Sequence, residues 1–184
     1  MFPIVLVSPR IPANVGNIAR LCAATCVPLH LVRPFNFFLD DASVKRAGLD
    51  YWEYVEKQEH NSLNDLEKFL IGKNFYLITK SGEKIYTDVS FQKGDVLIFG
   101  SEEDGMPESF LQKHKERALR IPMFNPQVRC LNLANSVSIA LYEAIRQTVD
   151  SKWSVISMGW RKLPELAHYT KTSSQSIDFK GFLG

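Results

Sequence analysis

Short apolar runs separated by longer stretches of mixed polarity constrain the fold of this chain more than any other feature. The first, IVLV at residues 4–7, is apolar at consecutive positions, as is DVLIF at residues 95–99 after its leading aspartate. Strands that are apolar on both faces are typical of parallel sheets covered by helices on both sides. The alternation of such runs with helical patterns predicts an α/β domain with a mainly parallel sheet flanked by helices.

The remaining elements follow from the same patterns and from turn residues. Further strands are predicted at 29–32, 51–55, 75–79 and 118–121. Helices are predicted at 17–26, at 42–47 before Gly48, from a Ser62 cap to near Gly72, after Pro107, and from Asn132. The loops after residues 7, 99 and 121 all follow strands. Because parallel sheets bind ligands at the carboxyl ends of their strands, these loops are the candidate binding region.

Composition restricts the class of protein. With 184 residues, 45% of them hydrophobic and 23% charged, the chain suits one soluble domain with a substantial core. No apolar run approaches the roughly 20 residues of a membrane span, and Met1 leads directly into a strand, so no signal peptide is expected. Three cysteines indicate a reducing cytoplasm. Cys22 and Cys26 lack a second ligand pair, so no metal site is expected.

Charge is distributed unevenly, although the net charge is only +2. Residues 151–184 contain five basic and two acidic residues and form a basic, aromatic-containing C-terminal extension after a domain at 1–150. A nucleic-acid partner would therefore depend on local basic patches and this extension rather than on the overall field. A merely soluble tail is the alternative.

The stretch 121–147 combines a loop that contains Pro122 and Pro126 with an amphipathic helix capped by Asn132. Such an entry presents backbone amides to a ligand, although an ordinary core helix has the same periodicity. In the first loop, Arg20 is predicted near the start of its helix, where the helix dipole does not favour a cation. The arginine therefore indicates a phosphate or carboxylate partner, with a surface salt bridge as the alternative.

Three motifs, each modest alone, occur in order along the chain. They are Asn14-x-Gly16-Asn17-x-x-Arg20, then Gly100-x-Glu102-x-x-Gly105-x-Pro107, and finally Ile121-Pro122-Met123 with Arg129-Cys130-Leu131-Asn132-Leu133. Together they resemble the motifs of SPOUT-class RNA 2′-O-ribose methyltransferases. The segments RAGLDYWEY and LNLANSVSIALYEA are most similar to the compact members that methylate the wobble nucleotide of certain leucine tRNAs. The resemblance covers about residues 2 to 148.

The resemblance implies a C-terminal deep trefoil knot (SPOUT or α/β knot), a homodimer with active sites at the subunit interface, and S-adenosylmethionine as cofactor. It implies a tRNA anticodon loop, of leucine isoacceptors, as the substrate. Catalytic roles carry over to Arg20, Tyr142 and Asn14, with the last two positioning the ribose. Cofactor contacts, many of them through the backbone, carry over to Ile78, Gly100, Glu102, Ile121, Met123, Cys130, Leu131 and Asn132.

The chemistry agrees with these roles. Methyl transfer to a 2′-hydroxyl requires alignment of the reacting atoms and a more acidic hydroxyl, and it needs no metal. An arginine side chain remains protonated in proteins, so Arg20 is expected to polarise the hydroxyl or a flanking phosphate rather than accept a proton. A single-stranded anticodon loop suits the reaction because its nucleotides can be splayed out.

Two positions depart from the family pattern. Cys130 stands where serine is more common, which would remove a hydroxyl hydrogen bond but keep a backbone contact. Asp104 occupies a position that is often basic in relatives, which weakens the expectation of a phosphate contact from this loop. Two alternatives remain: the same chemistry on another tRNA position or on ribosomal RNA, and a non-catalytic RNA-binding module with the same fold.

Overall fold

Seven parallel strands form one sheet in the computed structural model, which describes residues 1–35, 37 and 51–148. The strands are β1 (Ile4–Val7), β2 (Leu29–Val32), β3 (Lys57–His60), β4 (Phe75–Ile78), β5 (Lys84–Ile85), β6 (Val96–Phe99) and β7 (Ala118–Arg120). The sheet order is β3-β2-β1-β6-β4-β7-β5, and every pairing between neighbours is parallel. The α/β prediction with a mainly parallel sheet is therefore confirmed.

Four α-helices flank this sheet in the described residues. They are α1 (Pro12–Thr25), α2 (Leu63–Leu70), α3 (Glu108–Lys113) and α4 (Leu133–Thr148), and short 3₁₀ turns lie at Trp52–Tyr54, Tyr86–Asp88 and Lys115–Arg117. The predicted cap of α2 is confirmed, because the Ser62 hydroxyl accepts a hydrogen bond from the Asp65 amide at 3.2 Å. No helix in the described ranges is long and apolar enough to span a bilayer.

Two apolar layers cover the two faces of the sheet. Alternate residues of β1 point to opposite faces, so Ile4 and Leu6 join the layer that α1 and α4 cover, whereas Val5 and Val7 join the layer under α2 and α3. All four β1 residues are at most 1% exposed. Burial on both faces explains why the central strands are continuous apolar runs rather than alternating ones.

Two expectations about the elements were wrong. Helix α1 begins at Pro12 rather than at residue 17, because proline suits the first helical turn. Arg20 therefore lies well inside α1, and the argument from the helix dipole at the helix start does not apply to it. Residues 51–55 form a 3₁₀ turn at Trp52–Tyr54 rather than a strand.

Two edge strands, β3 and β5, carry no apolar signature and were not predicted. Strand β3 reads KQEH and is exposed along its first three residues, since one side of it has no partner strand in the described sheet. Sheet register rather than hydrophobicity places it, through pairing of Leu29 with Lys57 and of Val32 with His60. The helix predicted at 42–47 and the extension at 151–184 lie outside the described residues.

The topology gathers the motif-bearing loops at one edge of the sheet. Strands β1, β6, β4 and β7 are consecutive neighbours and parallel, so the segments that follow them leave from the same edge. The sheet order also runs in opposite directions from β1, because β2 lies on one side and β6 on the other. A crevice at such a switch point is the usual ligand position in this class of fold.

Candidate functional site

The loop between β6 and α3, residues 100–107, is a tight turn built by its glycines. Ser101 and Gly105 exchange two backbone hydrogen bonds of 3.0 Å each, and Gly105 has a φ of +73°. A Cβ atom at Gly100 would lie 2.3 Å from the Gly105 carbonyl carbon. Glycine at both positions therefore follows from backbone geometry. The turn directs Glu102 out of the loop toward the segment that follows β1.

The Glu102 carboxylate receives three hydrogen bonds from the region where α1 begins. The Arg10 amide donates to Oε2 at 2.7 Å, and the Ile11 amide donates to Oε1 at 3.2 Å. The side-chain amide of Asn14 also donates to Oε1, at 2.8 Å. A carboxylate at a helix N-terminus satisfies free backbone donors and is favoured by the helix dipole. Glu102 therefore anchors the β6–α3 loop to α1.

Asn14 extends this anchor to the third motif. Its carbonyl oxygen accepts a 2.9 Å hydrogen bond from the Asn132 side-chain amide, while its own amide is bound to Glu102. Asn14 is only 5% exposed, so both ends of a buried amide are satisfied within the protein. The Asn132 side-chain oxygen accepts hydrogen bonds from the backbone amides of Ala134 at 2.9 Å and Asn135 at 3.3 Å, which confirms the predicted cap of α4. We call Glu102, Asn14 and Asn132 the three-loop relay.

A second link joins the first two motifs beside this relay. The Arg10 guanidinium contacts the Asp104 carboxylate at 3.1 Å. The negative charge of Asp104 is thus compensated by a cation from the β1–α1 loop. The Nε atom of Arg10 is buried and makes no hydrogen bond within the described residues.

The β7–α4 loop, residues 121–132, leaves much of its surface open. Every residue from 123 to 130 is exposed, and the Phe124 side chain is 96% exposed. Inside the loop, the one backbone–backbone hydrogen bond is that from the Val128 amide to the Asn125 carbonyl at 3.2 Å, and the Gln127 amide donates to the Asn125 side-chain oxygen at 3.0 Å. The backbone groups of Met123, Cys130 and Leu131 make no hydrogen bond within residues 1–35, 37 and 51–148, so they are available to a ligand.

Arg20 and Tyr142 lie on the solvent side of the two helices. The Arg20 guanidinium lies over the Tyr51 ring, with its central carbon 5.0 Å from the ring centroid. It makes no hydrogen bond or ion pair with the rest of the described chain, so the salt-bridge alternative finds no partner there. Tyr142 is 52% exposed on α4. Helices α1 and α4 pack against each other, which brings the elements that carry these residues side by side.

The predicted site residues thus divide into a connected and an open group. The structure joins Asn14, Glu102 and Asn132 directly, and Ile78 ends β4 at the same sheet edge with 8% exposure. No hydrogen bond in the described part of the chain joins Arg20 or Tyr142 to the three-loop relay. Arg10 and Tyr51 were not predicted from the sequence. For Arg10, the one available signal was that its positive charge is opposite to the negative charge of Asp104 in another motif loop.

Known proteins are similar to this chain over most of its length. Residues 1–142 match the model of the SpoU rRNA Methylase family. A tRNA (cytidine(34)-2′-O)-methyltransferase from Methylovorus glucosotrophus is 46% identical over 148 residues, which cover 80% of this chain and 96% of the relative.

Solved structures of other proteins have a similar fold. A structure described as giving insights into the 2-OH methylation of C/U34 on tRNA matches with a TM-score of 0.75 at 44% identity, covering 80% of this chain and 95% of the other. An AdoMet-bound rRNA methyltransferase from Sinorhizobium meliloti matches with a TM-score of 0.70 at 24% identity, covering 81% of this chain and 57% of the other, which supports the fold alone. The resemblance inferred from the three motifs is confirmed, and the chain belongs to the SpoU rRNA methylase family.

Proposed function

We propose that this chain is an S-adenosylmethionine-dependent methyltransferase that acts on the ribose 2′-hydroxyl of the wobble nucleotide of tRNA, with leucine tRNAs as its substrates. The observation that carries the proposal is the three-loop relay. It fixes three motif segments, distant in sequence, at the carboxyl edge of a parallel sheet. The name of the Methylovorus relative supports the choice of nucleotide.

The residues at this edge fit the proposed cofactor. We assign its contacts to Ile78, Gly100, Ile121, Met123, Cys130 and Leu131, with Glu102 and Asn132 holding the surrounding loops in place. The exposed β7–α4 loop offers uncommitted backbone donors and acceptors, and a contact through the backbone of Cys130 does not depend on serine at that position. When bound, S-adenosylmethionine supplies a methyl group on a sulfonium centre. The chain supplies binding and orientation.

Arg20 is the proposed activating residue. Its side chain is exposed and keeps all of its N–H donors free of hydrogen bonds within the described residues. A planar guanidinium with free donors can bind a phosphate through two parallel hydrogen bonds or stabilise charge that develops on an oxygen. We therefore assign Arg20 to polarising the 2′-hydroxyl or its flanking phosphate, and the exposed Tyr142 to positioning the ribose.

The role proposed for Asn14 follows from its contacts. Its side-chain amide donor is bound to Glu102 and its side-chain oxygen to Asn132, so a direct ribose contact would compete with two partly buried hydrogen bonds. We assign Asn14 to positioning the ribose indirectly, by fixing α1 and hence Arg20 against the cofactor loops.

The wider organisation belongs to the same proposal. We propose that the C-terminal part of the 1–150 domain threads a deep trefoil knot, and that the enzyme is a cytoplasmic homodimer in which Arg20 and Tyr142 face an interface-formed site. The exposed faces of α4 support this, because Asn135, Tyr142 and Arg146 lie on solvent in the single chain. The basic extension at 151–184 is proposed as a contributor to tRNA binding.

Replacing Arg20 with alanine tests the mechanism. Arg20→Ala is expected to keep S-adenosylmethionine binding, measured by titration calorimetry, and to lose turnover by a factor of about 100 or more on tRNA, as for removal of one charge-stabilising donor. Arg117→Ala is the matched control. Arg117 also stacks on an aromatic ring, Phe75, at 4.5 Å, but it precedes β7 at the opposite edge of the sheet. Equal turnover in Arg20→Ala and wild type would contradict the assignment.

Binding measurements separate this function from a non-catalytic RNA-binding module. Such a module would retain tRNA and give no heat with S-adenosylmethionine. The family description names ribosomal RNA, so an assay with total tRNA and total rRNA in parallel distinguishes the proposed substrate from the same chemistry on rRNA.

A further inference from the structure

The contact between Arg20 and Tyr51 is the one interaction that the described structure gives to the Arg20 side chain. The guanidinium carbon lies 5.0 Å from the centroid of the tyrosine ring, within the range of cation–π attraction. We propose that Tyr51 is a positioning residue for the reaction, and that its ring holds the Arg20 guanidinium by one face in the orientation needed for substrate. This inference rests on the proposed function, which makes Arg20 the activating group.

Stacking orients an arginine without consuming its hydrogen bonds. The N–H donors of guanidinium point outward in its plane, so a ring against the face restricts the long side chain while the donors remain free. A carboxylate partner would also orient the side chain, but it would occupy donors and compensate the charge that an anionic or developing oxygen needs. The ring contact is therefore the suitable support for an arginine that must bind substrate.

Other stacked arginines in the described chain are held differently. Arg33 lies 4.5 Å from the Phe35 ring but is also paired with Glu59 at 2.7 Å. Arg117 stacks on Phe75 and also donates to the Asn74 side chain at 2.8 Å. Arg20 differs from both, because its stacked guanidinium has no second partner among the described residues. Its donors are the ones that remain free for a ligand.

The ring is carried by an anchored segment. The Tyr51 carbonyl accepts a 3.0 Å hydrogen bond from the Tyr54 amide and so opens the 3₁₀ turn. Trp52 packs against the core, and Val55 is 5% exposed. This turn packs against α1, the helix that bears Arg20. The Tyr51 hydroxyl makes no hydrogen bond within the described residues, so the aromatic face rather than the hydroxyl is the functional feature.

The test compares Tyr51→Leu with Tyr51→Phe in the full-length enzyme. Leucine removes the aromatic face, so kcat on tRNA is expected to fall about 3- to 10-fold, with the KM for S-adenosylmethionine unchanged. Phenylalanine keeps the face and should retain the wild-type kcat. In an Arg20→Ala background, Tyr51→Leu should cause no further loss, because a residue that acts through Arg20 is not additive with it.

A second readout is independent of activity. The Cδ protons of Arg20 should show an upfield ring-current shift in NMR spectra of wild type and Tyr51→Phe, and the shift should disappear in Tyr51→Leu; the rest of the spectrum reports whether each variant is folded. Unchanged kcat in folded Tyr51→Leu, or additive losses in the double variant, would overturn the role of Tyr51 while Arg20→Ala still supports the proposed function. An inactive wild type would instead overturn the proposed function, and absence of the ring-current shift would overturn the stacking itself.

Discussion

Asn14 shows how a motif residue can serve a site without touching the ligand. The family resemblance implied that Asn14 positions the ribose, but the structure gives both ends of its side-chain amide to Glu102 and Asn132. A buried side-chain amide whose donor and acceptor are both hydrogen-bonded within the protein fixes the relative positions of its partners rather than contacting a ligand. Asn14 is separated in sequence from Glu102 by 88 residues and from Asn132 by 118 residues. These contacts therefore hold together motifs that lie far apart along the chain.

Removing this amide should destabilise the protein and weaken cofactor binding together. Asn14→Ala removes one of the three donors to Glu102 and leaves the Asn132 side-chain amide without its acceptor, which should lower the free energy of unfolding by about 1–3 kcal/mol. Asn17→Ala is the control, since Asn17 lies one turn further along α1 but is exposed and makes no side-chain hydrogen bond in the described chain. Urea unfolding and cofactor calorimetry measure both effects. Equal stabilities of the two variants would contradict the relay.

At the scale of the elements, the helices were easier to predict than the edge of the sheet. The apolar face of α4 and its Asn132 cap were readable because periodicity and capping chemistry are local. The predicted amphipathic face is confirmed, because the buried residues of α4 recur at helical spacing: Leu133, Ala134, Val137, Ala140, Leu141 and Ala144. Strand β3 had no such signal, because its place depends on pairing with β2.

A pair of buried histidines joins β2 to β3. His30 Nδ1 and His60 Nε2 are 2.9 Å apart, both side chains are 4% exposed, and the ring of Phe69 from α2 packs against both. Burial, with His60 and then Lys73 adding repulsion, lowers the pKa of His30 to about 4. Burial also lowers the pKa of His60, and Asp65 partly opposes this. The edge of the sheet therefore holds two neutral imidazoles.

This pair should make stability sensitive to acid. Since the pKa of His30 is lower in the folded than in the unfolded chain, the unfolded state takes up the proton first, and stability falls as pH drops from about 6.5 to about 4. The loss from His30 should be about 2 kcal/mol at pH 5. In urea unfolding between pH 7 and 5, the free energy of unfolding of the double variant His30→Leu/His60→Leu should depend less on pH than that of the wild type. His114, whose pKa burial also lowers, is present in both proteins. An equal pH dependence of the two free energies of unfolding would contradict this assignment.

At the scale of the whole molecule, the sequence was sufficient for the class of fold and for the placement of the three motif loops at one edge of the sheet. Apolar runs such as residues 4–7 identify buried parallel strands, and strand–loop order alone brings three motif loops to one edge. The contacts that organise this edge were not predictable, because they join residues such as Arg10 and Asp104 whose proximity depends on the neighbouring placement of β1 and β6. The start of α1 was misplaced because Pro12 can end a loop or begin a helix.

The most direct test of the central proposal is to map ribose methylation on tRNA. Purified protein would be incubated with S-adenosylmethionine and tRNA from cells that lack the gene, and the tRNA would be digested and analysed by mass spectrometry, with Arg20→Ala in parallel. We expect one new 2′-O-methyl group, at the wobble nucleotide of leucine tRNAs, with wild-type protein and almost none with the variant. A methyl group at another position, in another RNA, or on a base, or no methylation by a protein that binds the cofactor, would contradict the proposal.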